Sequence, residues 1–180
     1  MSHVVKSVER WLTSIVIELN LCPFAGREYR SDKVRFKESL ATTQEALLQD
    51  LVVEMSLLTR RPEIETTLLI HPGVLTDFAA FNQFLSFAES VIDAMSLDGV
   101  YQIASFHPDY QFAGTAEDEP ENFTNRSPFP ILHILREDSL EQAIDSYPDT
   151  SEIPERNIEL MNSLGGQHMV KLLRKCRIDG

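Results

Sequence analysis

The chain has 180 residues, and 43% of them are hydrophobic, which is enough for one domain with a substantial buried core. Its 28 Asp and Glu residues outnumber its 16 Lys and Arg residues, so the net charge is −12 at pH 7. A surface of that sign repels phosphate backbones, so we expect no nucleic acid partner.

The first predicted element is a helix over residues 4–20. Glu9, Arg10 and Glu18 interrupt its apolar run, so the segment fits neither a signal peptide nor a membrane span. We therefore expect a cytoplasmic protein without a membrane partner. Pro23 ends the helix, because a proline disfavours helical backbone in the residue before it. Apolar residues recur at spacings of three and four, namely Val5, Val8, Trp11, Leu12, Ile15, Val16 and Leu19.

Two cysteines, Cys22 and Cys176, lie far apart in the sequence. Two are too few for a disulfide framework and fit a reducing cytosol. Cys22 follows the first helix, and the neighbouring cation Arg27 is typical of reactive thiols. Cys22 is therefore a candidate catalytic nucleophile, and a buried free cysteine is the alternative interpretation.

Strand and helix patterns alternate between residues 34 and 106. Thr42 and Glu45 form a capping box at the start of the first helix of this region, and Thr76 is placed to cap the second. The predicted elements are a strand at 34–40, a helix from 42 to about 59, a strand at 66–70, a helix from 77 to about 95 and a strand at 100–106.

A fourth strand, 130–136, starts directly after a proline, a position that strands tolerate. Asp138 to Glu141 match a second capping box and predict a short helix. Pro154 suits the first turn of another helix. Gly165 and Gly166 separate that helix from a last one at 167–176.

The core order is strand, helix, strand, helix, strand, strand, helix. This order predicts an α/β fold with a small mixed sheet of about four strands. It is the order of thioredoxin-like folds, and a ferredoxin-like sandwich is the competing interpretation. We expect a single domain over residues 1–180, with an N-terminal helix at 1–22, the core at 34–147 and a C-terminal helical segment at 151–180.

A long polar connection, 106–133, joins the third and fourth strands, and loops of this length are usually functional. His71 and His107 each follow directly after a strand. If those strands are parallel, both histidines lie at the sheet edge where ligands bind in such folds. The sequence therefore predicts a pocket at this edge, with the connection 106–133 as its wall.

The residue types in this region permit three chemistries. His107, oriented by Asp109, is a candidate general base or metal ligand. Arg126 with amide and hydroxyl donors is suited to holding an anion. The predicted substrate-binding residues are Asn122, Asn125, Arg126, Ser127, His133 and His71. The alternative is structural: turn histidines, a core histidine at 133, and Asn and Arg side chains that tie down the loop backbone. We assign no residue as a metal ligand, and the sequence leaves the cofactor undetermined.

Five segments together resemble an uncharacterised bacterial family filed as domain of unknown function 1415. The resemblance spans nearly the whole chain and implies a bacterial protein of about this length, but no activity. Glu119 departs from the family pattern, which tends to have an aspartate there. The segments are LNLCPFA at 19–25, SFHPDYQF at 105–112, ENFTNRSP at 121–128, LHILRE at 132–137 and IPERN at 153–157.

These observations favour an enzyme that acts on a small, anionic metabolite, with His107, Asp109 and Cys22 as catalytic residues. One alternative is a non-catalytic domain that binds a small ligand or another protein. Another is a thiol redox protein with a single reactive cysteine, Cys22.

Overall fold

A four-stranded mixed sheet forms the centre of the computed structural model, which describes residues 1–146 and 150–178. The strands lie in the order β1-β2-β4-β3, and the chain is an α/β protein, as predicted. The predicted ends of the core at residue 147 and of the C-terminal segment at residue 180 lie outside the described residues. The strands are β1 Val34–Glu38, β2 Thr66–Ile70, β3 Tyr101–Phe106 and β4 Ile131–Arg136.

The pairing brings the ends of three strands to one edge. β1 runs parallel to β2, and β4 runs antiparallel to both β2 and β3. Ile131, the first residue of β4, therefore lies opposite Ile70 on one side and Phe106 on the other. His71 and His107, which follow those two residues, consequently emerge at the same edge of the sheet.

The helices follow the predicted order along the chain, and the β-α-β-β-α-β order of a ferredoxin-like unit is not the one found. A short helix at 25–30 is additional to the prediction. No helix in the described ranges is both long and apolar enough to cross a membrane. The helices are α1 His3–Trp11, α2 Ala25–Arg30, α3 Gln44–Arg60, α4 Phe78–Ala94, α5 Glu137–Ser146, α6 Ile153–Leu164 and α7 Gly166–Cys176.

The two faces of the sheet bury different sets of helices, because successive strand residues point to opposite faces. Leu69 and Leu132 pack in one core with α3 and α4. Leu68 packs in the other core, with α1, α6 and α7. On that second face Trp11 is 2% exposed, and its Nε1 donates to the carbonyl oxygen of Arg126 at 3.0 Å. The N-terminal helix therefore holds both the sheet and the connection 106–133.

The predicted N-terminal helix differs from the structure in its second half. After α1 the chain forms a π-helical segment, Leu12–Ile17, in place of further α-helix. Asn20 then takes a positive φ of 53°, a conformation that asparagine tolerates better than most residues. The chain turns there, so Cys22 lies beyond the helix, in the turn that leads into α2.

Three predicted helix caps are wrong. Thr43, not Thr42, caps α3, and its hydroxyl accepts from the Ala46 amide at 3.2 Å. Asp77, not Thr76, caps α4. Helix α5 begins directly after β4, so Asp138 lies inside its first turn and no capping box forms. Adjacent residues of similar capping ability explain the first two errors, because only backbone geometry selects between them.

Replacing Arg35 by Met is expected to lower the free energy of unfolding by about 2 kcal/mol, because the Glu54 carboxylate loses its partner. Glu54 is 1% exposed, and Arg35 binds it through two contacts of 2.7 and 3.1 Å. The estimate lies below the range for fully buried pairs because the Arg35 side chain is 32% exposed. Urea unfolding measures the loss.

The matched control is Lys37→Met, which removes a cation from the same face of β1 and is expected to change stability little. The double variant Arg35→Met with Glu54→Leu is expected to recover most of the loss. A double variant no more stable than Arg35→Met alone would contradict the pairing argument.

Candidate functional site

Asn122 fixes the middle of the connection 106–133. Its side chain is completely buried. Its Oδ1 accepts from the Phe112 amide at 2.9 Å and from the Thr115 hydroxyl at 2.9 Å, while Nδ2 donates to the Ala116 carbonyl at 2.8 Å. These bonds favour a structural role for Asn122, and its contact with a substrate stays a prediction.

Arg126 also binds the backbone of the connection. Its Nε donates to the Tyr110 carbonyl at 3.1 Å and its Nη2 to the Glu117 carbonyl at 2.7 Å. The guanidinium lies over the Phe123 ring, 4.6 Å from its centre. Burial lowers the pKa of Arg126, and the carboxylates of Asp109 and Glu117 oppose that shift. Two of the five N–H donors of this guanidinium are therefore used within the protein.

Asn125 and Ser127 lie near the end of the connection, and the side chain of each donates a hydrogen bond to a backbone carbonyl. Asn125 donates from Nδ2 to the Ser105 carbonyl at 3.1 Å. Ser127 is completely buried and donates its hydroxyl to the Phe129 carbonyl at 2.6 Å. Asn125 Oδ1 has no hydrogen-bond partner among the described residues, and Asn125 lines a cavity described below. Of these two, Asn125 is the one placed to contact a ligand.

His107 is completely buried, and both of its ring nitrogens are bonded. Nδ1 accepts from the backbone amide of Asp109 at 3.0 Å, so Nε2 carries the hydrogen that is donated to the Leu75 carbonyl at 3.2 Å. The prediction that the Asp109 carboxylate orients the ring is not supported, since the Asp109 backbone does so and the residue is exposed. Burial lowers the pKa of His107. Catalysis by His107 would require this turn to open.

His71, directly after β2, also binds the turn between β2 and α4. Its Nδ1 donates to the Val74 carbonyl at 3.0 Å, and its ring stacks on Phe81 with centres 5.7 Å apart. Burial lowers the pKa of His71 to about 4. His71 and His107 both contact Phe81, whereas His133 lies on the opposite face of the sheet. The predicted neighbourhood of three histidines therefore contains two.

Two cavities on the face of the sheet that α1 covers share Cys22 in their walls, and we refer to them together as the joined cavities. The sheet cavity has a volume of about 270 Å³ and the loop cavity about 550 Å³, and both are lined by Val16, Cys22 and Phe106. The walls of the sheet cavity include Trp11, Leu68, Ala104, His133, Leu135 and Leu140. The walls of the loop cavity include Leu21, Phe112, Thr115, Glu121, Asn125 and Asn157.

The turn that carries Cys22 is held by residues from α6. Asn157 Nδ2 donates to the Leu21 carbonyl at 2.9 Å, and Arg156 Nη2 donates to the Asn20 carbonyl at 2.6 Å. Cys22 itself is partly buried and forms no disulfide. Its place in the wall of the loop cavity brings it beside the connection 106–133, a contact that the sequence left undecided.

His133 lines the sheet cavity beside Thr66. The hydroxyl of Thr66 donates its hydrogen to the Ile134 carbonyl at 2.6 Å. That oxygen, 2.6 Å from His133 Nε2, must therefore accept from the ring. Nδ1 is then a bare acceptor, and it has no hydrogen-bond partner within the described residues. Burial lowers the pKa of His133 to about 4, so the ring is neutral at pH 7.

The described residues include no group of three or more His, Cys, Asp or Glu side chains arranged to hold a metal ion. His71 and His107 lie close together, but both ring nitrogens of His107 are hydrogen-bonded to backbone atoms. The metal-ligand interpretation of His107 therefore draws no support from this arrangement.

Several cavity residues carry no signal in the sequence that would have identified them. Nothing in the sequence distinguishes Thr66 from other strand residues, and only the pairing of β2 with β4 places it beside His133. Asn157 and Glu28 lie in helices, far along the chain from the connection 106–133. The segments at 19–25 and 153–157 were recognised only as motifs, and their contact through Leu21 and Asn157 explains why both contribute to one pocket wall.

Comparison with known proteins identifies one family. The model of the family described as "Protein of unknown function (DUF1415)" matches residues 3–171. No curated protein and no solved structure matches the chain. The geometry of the joined cavities is therefore the basis for any statement about function.

Proposed function

Because this chain belongs to the DUF1415 family, whose description names no activity, we propose its function from the joined cavities: it is an enzyme that acts on a small organic molecule through the thiol of Cys22. The observation that carries the proposal is the position of Cys22 in the walls of both cavities. A ligand that fills both would have its central bonds beside the sulfur.

The two cavities differ in chemistry, which supports a ligand with two unlike ends. The sheet cavity is lined mainly by aliphatic and aromatic side chains, with His133 among them. The loop cavity offers Asn125, Thr124 and Glu121 from the connection 106–133. Pockets that combine apolar walls with a few polar groups are typical of small-molecule sites. The connection 106–133 thus serves as one wall of the proposed site.

An anionic substrate held by Arg126, Asn122 and Asn125 draws less support from the geometry than a neutral one. Arg126 and Asn122 are bound to the backbone of the connection. Asn125 is the member of that set that lines a cavity.

The non-catalytic alternative places a ligand in the same joined cavities. The effect of replacing Cys22 distinguishes it from the enzyme hypothesis. A binding protein would keep its ligand affinity when Cys22 is replaced by Ala and would form no covalent adduct. The redox alternative needs a second thiol from another molecule, since Cys176 is 2% exposed in the core and both cysteines are free.

Two free cysteines also support the proposal that the protein works in a reducing compartment such as the bacterial cytosol. The net charge of −12 supports a small-molecule partner over nucleic acid. Cell fractionation with an antibody against the protein tests the location, and recovery in a periplasmic or membrane fraction would contradict it.

A panel of chloroacetamides with varied apolar and polar ends is expected to alkylate Cys22 selectively. The best members should react about a hundredfold faster than iodoacetamide does, after each rate is divided by its rate with glutathione, because binding positions the electrophile. Intact-protein mass spectrometry with peptide mapping measures the rates. Cys176 should stay unmodified, because it is buried and its Sγ donates to the Leu172 carbonyl at 3.3 Å.

Two variants control this experiment. Cys22→Ser should form no adduct, and Cys176→Ser should react like the parent protein. Rates that follow glutathione reactivity across the whole panel would show that Cys22 is an ordinary surface thiol, and the proposed function would then fail.

A further inference from the structure

The unpaired polar atoms of the sheet cavity include two hydrogen-bond acceptors. The first is His133 Nδ1, which is bare because Nε2 carries the hydrogen given to Thr66. The second is Glu28 Oε2, which is buried and has no hydrogen-bond partner among the described residues. The nearest cation to it, Lys33 Nζ, lies at 3.8 Å, which is too long for a hydrogen bond. A buried acceptor without a donor costs about 1–3 kcal/mol, so a ligand that supplies a donor gains affinity here.

Most N–H groups of Arg136, the cation that lines this cavity, are already used. Arg136 gives Nε and Nη2 to the Ile64 carbonyl, Nη2 also to the Leu58 carbonyl, and Nη1 to the Tyr101 hydroxyl. The Thr66 hydroxyl already donates its hydrogen to the Ile134 carbonyl. A carboxylate or phosphate in this cavity would therefore find little to bind it and would lie near two acidic residues.

The volume sets the size of the occupant. An apolar cavity of roughly 150 Å³ accepts benzene, so the sheet cavity, at about 270 Å³, has room for a ring system of one or two rings with a short side chain. Its walls of Trp11, Leu68, Phe106 and Leu135 provide the apolar contact for such a group.

We propose that the sheet cavity binds the apolar end of the substrate, an aromatic or aliphatic group of that size that bears an N–H or O–H donor, and that it rejects the corresponding anion. The donor binds His133 Nδ1, and the carboxylate of Glu28 in the same cavity wall favours a donor that carries positive charge. This inference rests on the proposed function, because it names the substrate class for the same joined cavities. The lowered pKa of His133 supports it, since a neutral ring remains an acceptor at pH 7.

Four matched probes test the proposal: phenethyl alcohol, phenethylamine, ethylbenzene and phenylacetate. The full chain is labelled with ¹³C at the histidine Cε1 positions, and the His133 signal is assigned among the five histidines with His133→Gln. The alcohol and the amine are expected to shift the His133 signal saturably. Both should bind about tenfold more tightly than ethylbenzene, which corresponds to one good hydrogen bond, and phenylacetate should bind more weakly than ethylbenzene.

Variants separate the contributions of the two acceptors and of the cavity itself. Glu28→Gln keeps the shape but removes the charge, and it should weaken the amine about tenfold relative to the alcohol. Ala104→Leu should fill part of the cavity and weaken all four probes. The intensity and wavelength of Trp11 fluorescence check that each variant is folded.

The outcomes distinguish this inference from the proposed function. Binding of all probes with equal affinity, or tighter binding of phenylacetate than of the amine, would overturn the donor preference and leave the proposed function standing. If no probe shifts the His133 signal and the chloroacetamides show no selectivity, both proposals are overturned.

Discussion

The free energy of unfolding is expected to fall by about 5 kcal/mol between pH 6.5 and pH 4, because two buried histidines must stay neutral in the folded protein. The pKa of His71 and that of His133 are each lowered by burial from 6.5 to about 4. Each therefore contributes about 2.5 kcal/mol over this range, because most of the free-energy equivalent of its pKa shift falls within it. His107, whose pKa is also lowered, adds to the effect in the same direction.

The sign follows from where the protons bind. Below pH 6.5 the unfolded chain takes up a proton at each histidine, while the folded protein does not until the pH reaches about 4. The unfolded state thus binds more protons throughout this window, and stability falls as the pH falls. Well above pH 6.5 both states are neutral at these positions, so the histidines give no pH dependence there.

Urea unfolding at several pH values, followed by the fluorescence of Trp11, measures this dependence. Trp11 is the only tryptophan of the chain and is 2% exposed when folded. His71→Gln and His133→Gln should each reduce the slope by about 1.4 kcal/mol per pH unit within the window. His168→Gln, at an exposed position of α7, should leave the slope unchanged. A slope that is the same in all four proteins would contradict the buried neutral state of both histidines.

Replacing Asn122 by Ala is expected to destabilise the protein by about 3 kcal/mol, because it removes three hydrogen bonds and leaves the Phe112 amide without an acceptor. The Thr115 hydroxyl can still donate to the Phe112 carbonyl, and the Ala116 carbonyl still accepts from the Glu119 amide, so Phe112 bears most of the cost. Asn162→Ala, which removes an exposed asparagine from α6, should change stability by less than about 0.5 kcal/mol. Urea unfolding at pH 7 gives both values.

Asn122→Asp provides a sharper version of the same test. A carboxylate keeps the acceptor for Phe112 but places charge against the Ala116 carbonyl, so most of the loss should remain at pH 7. Protonation at lower pH restores a donor, and the difference from the parent protein should then shrink. Hydrogen exchange reports the structure directly: the Phe112 amide should be protected in the parent protein and exchange rapidly in Asn122→Ala. A protected Phe112 amide in that variant would count against the role given to Asn122.

The alternation of elements along the chain was predictable because hydrophobic period and chain breakers act locally. The four strands were found at nearly their predicted positions, and the common edge of His71 and His107 followed from the direction of β2 and β3. Helix starts at Thr42 and Thr76 were misplaced, since neighbouring residues cap equally well. The π-helical segment Leu12–Ile17 was not predicted, because its apolar residues recur at the spacings of three and four that also indicate an α-helix.

By itself, the sequence determined that the chain is an acidic α/β protein with a long polar connection and that it resembles one family. Only the tertiary structure decided what the polar residues of that connection do. Asn122, Arg126 and His107 bind nearby backbone, since a connection of this length needs partners for its own amides and carbonyls. Cys22 and His133 instead line the cavities, because their positions depend on strand pairing and on α6, which no local pattern encodes.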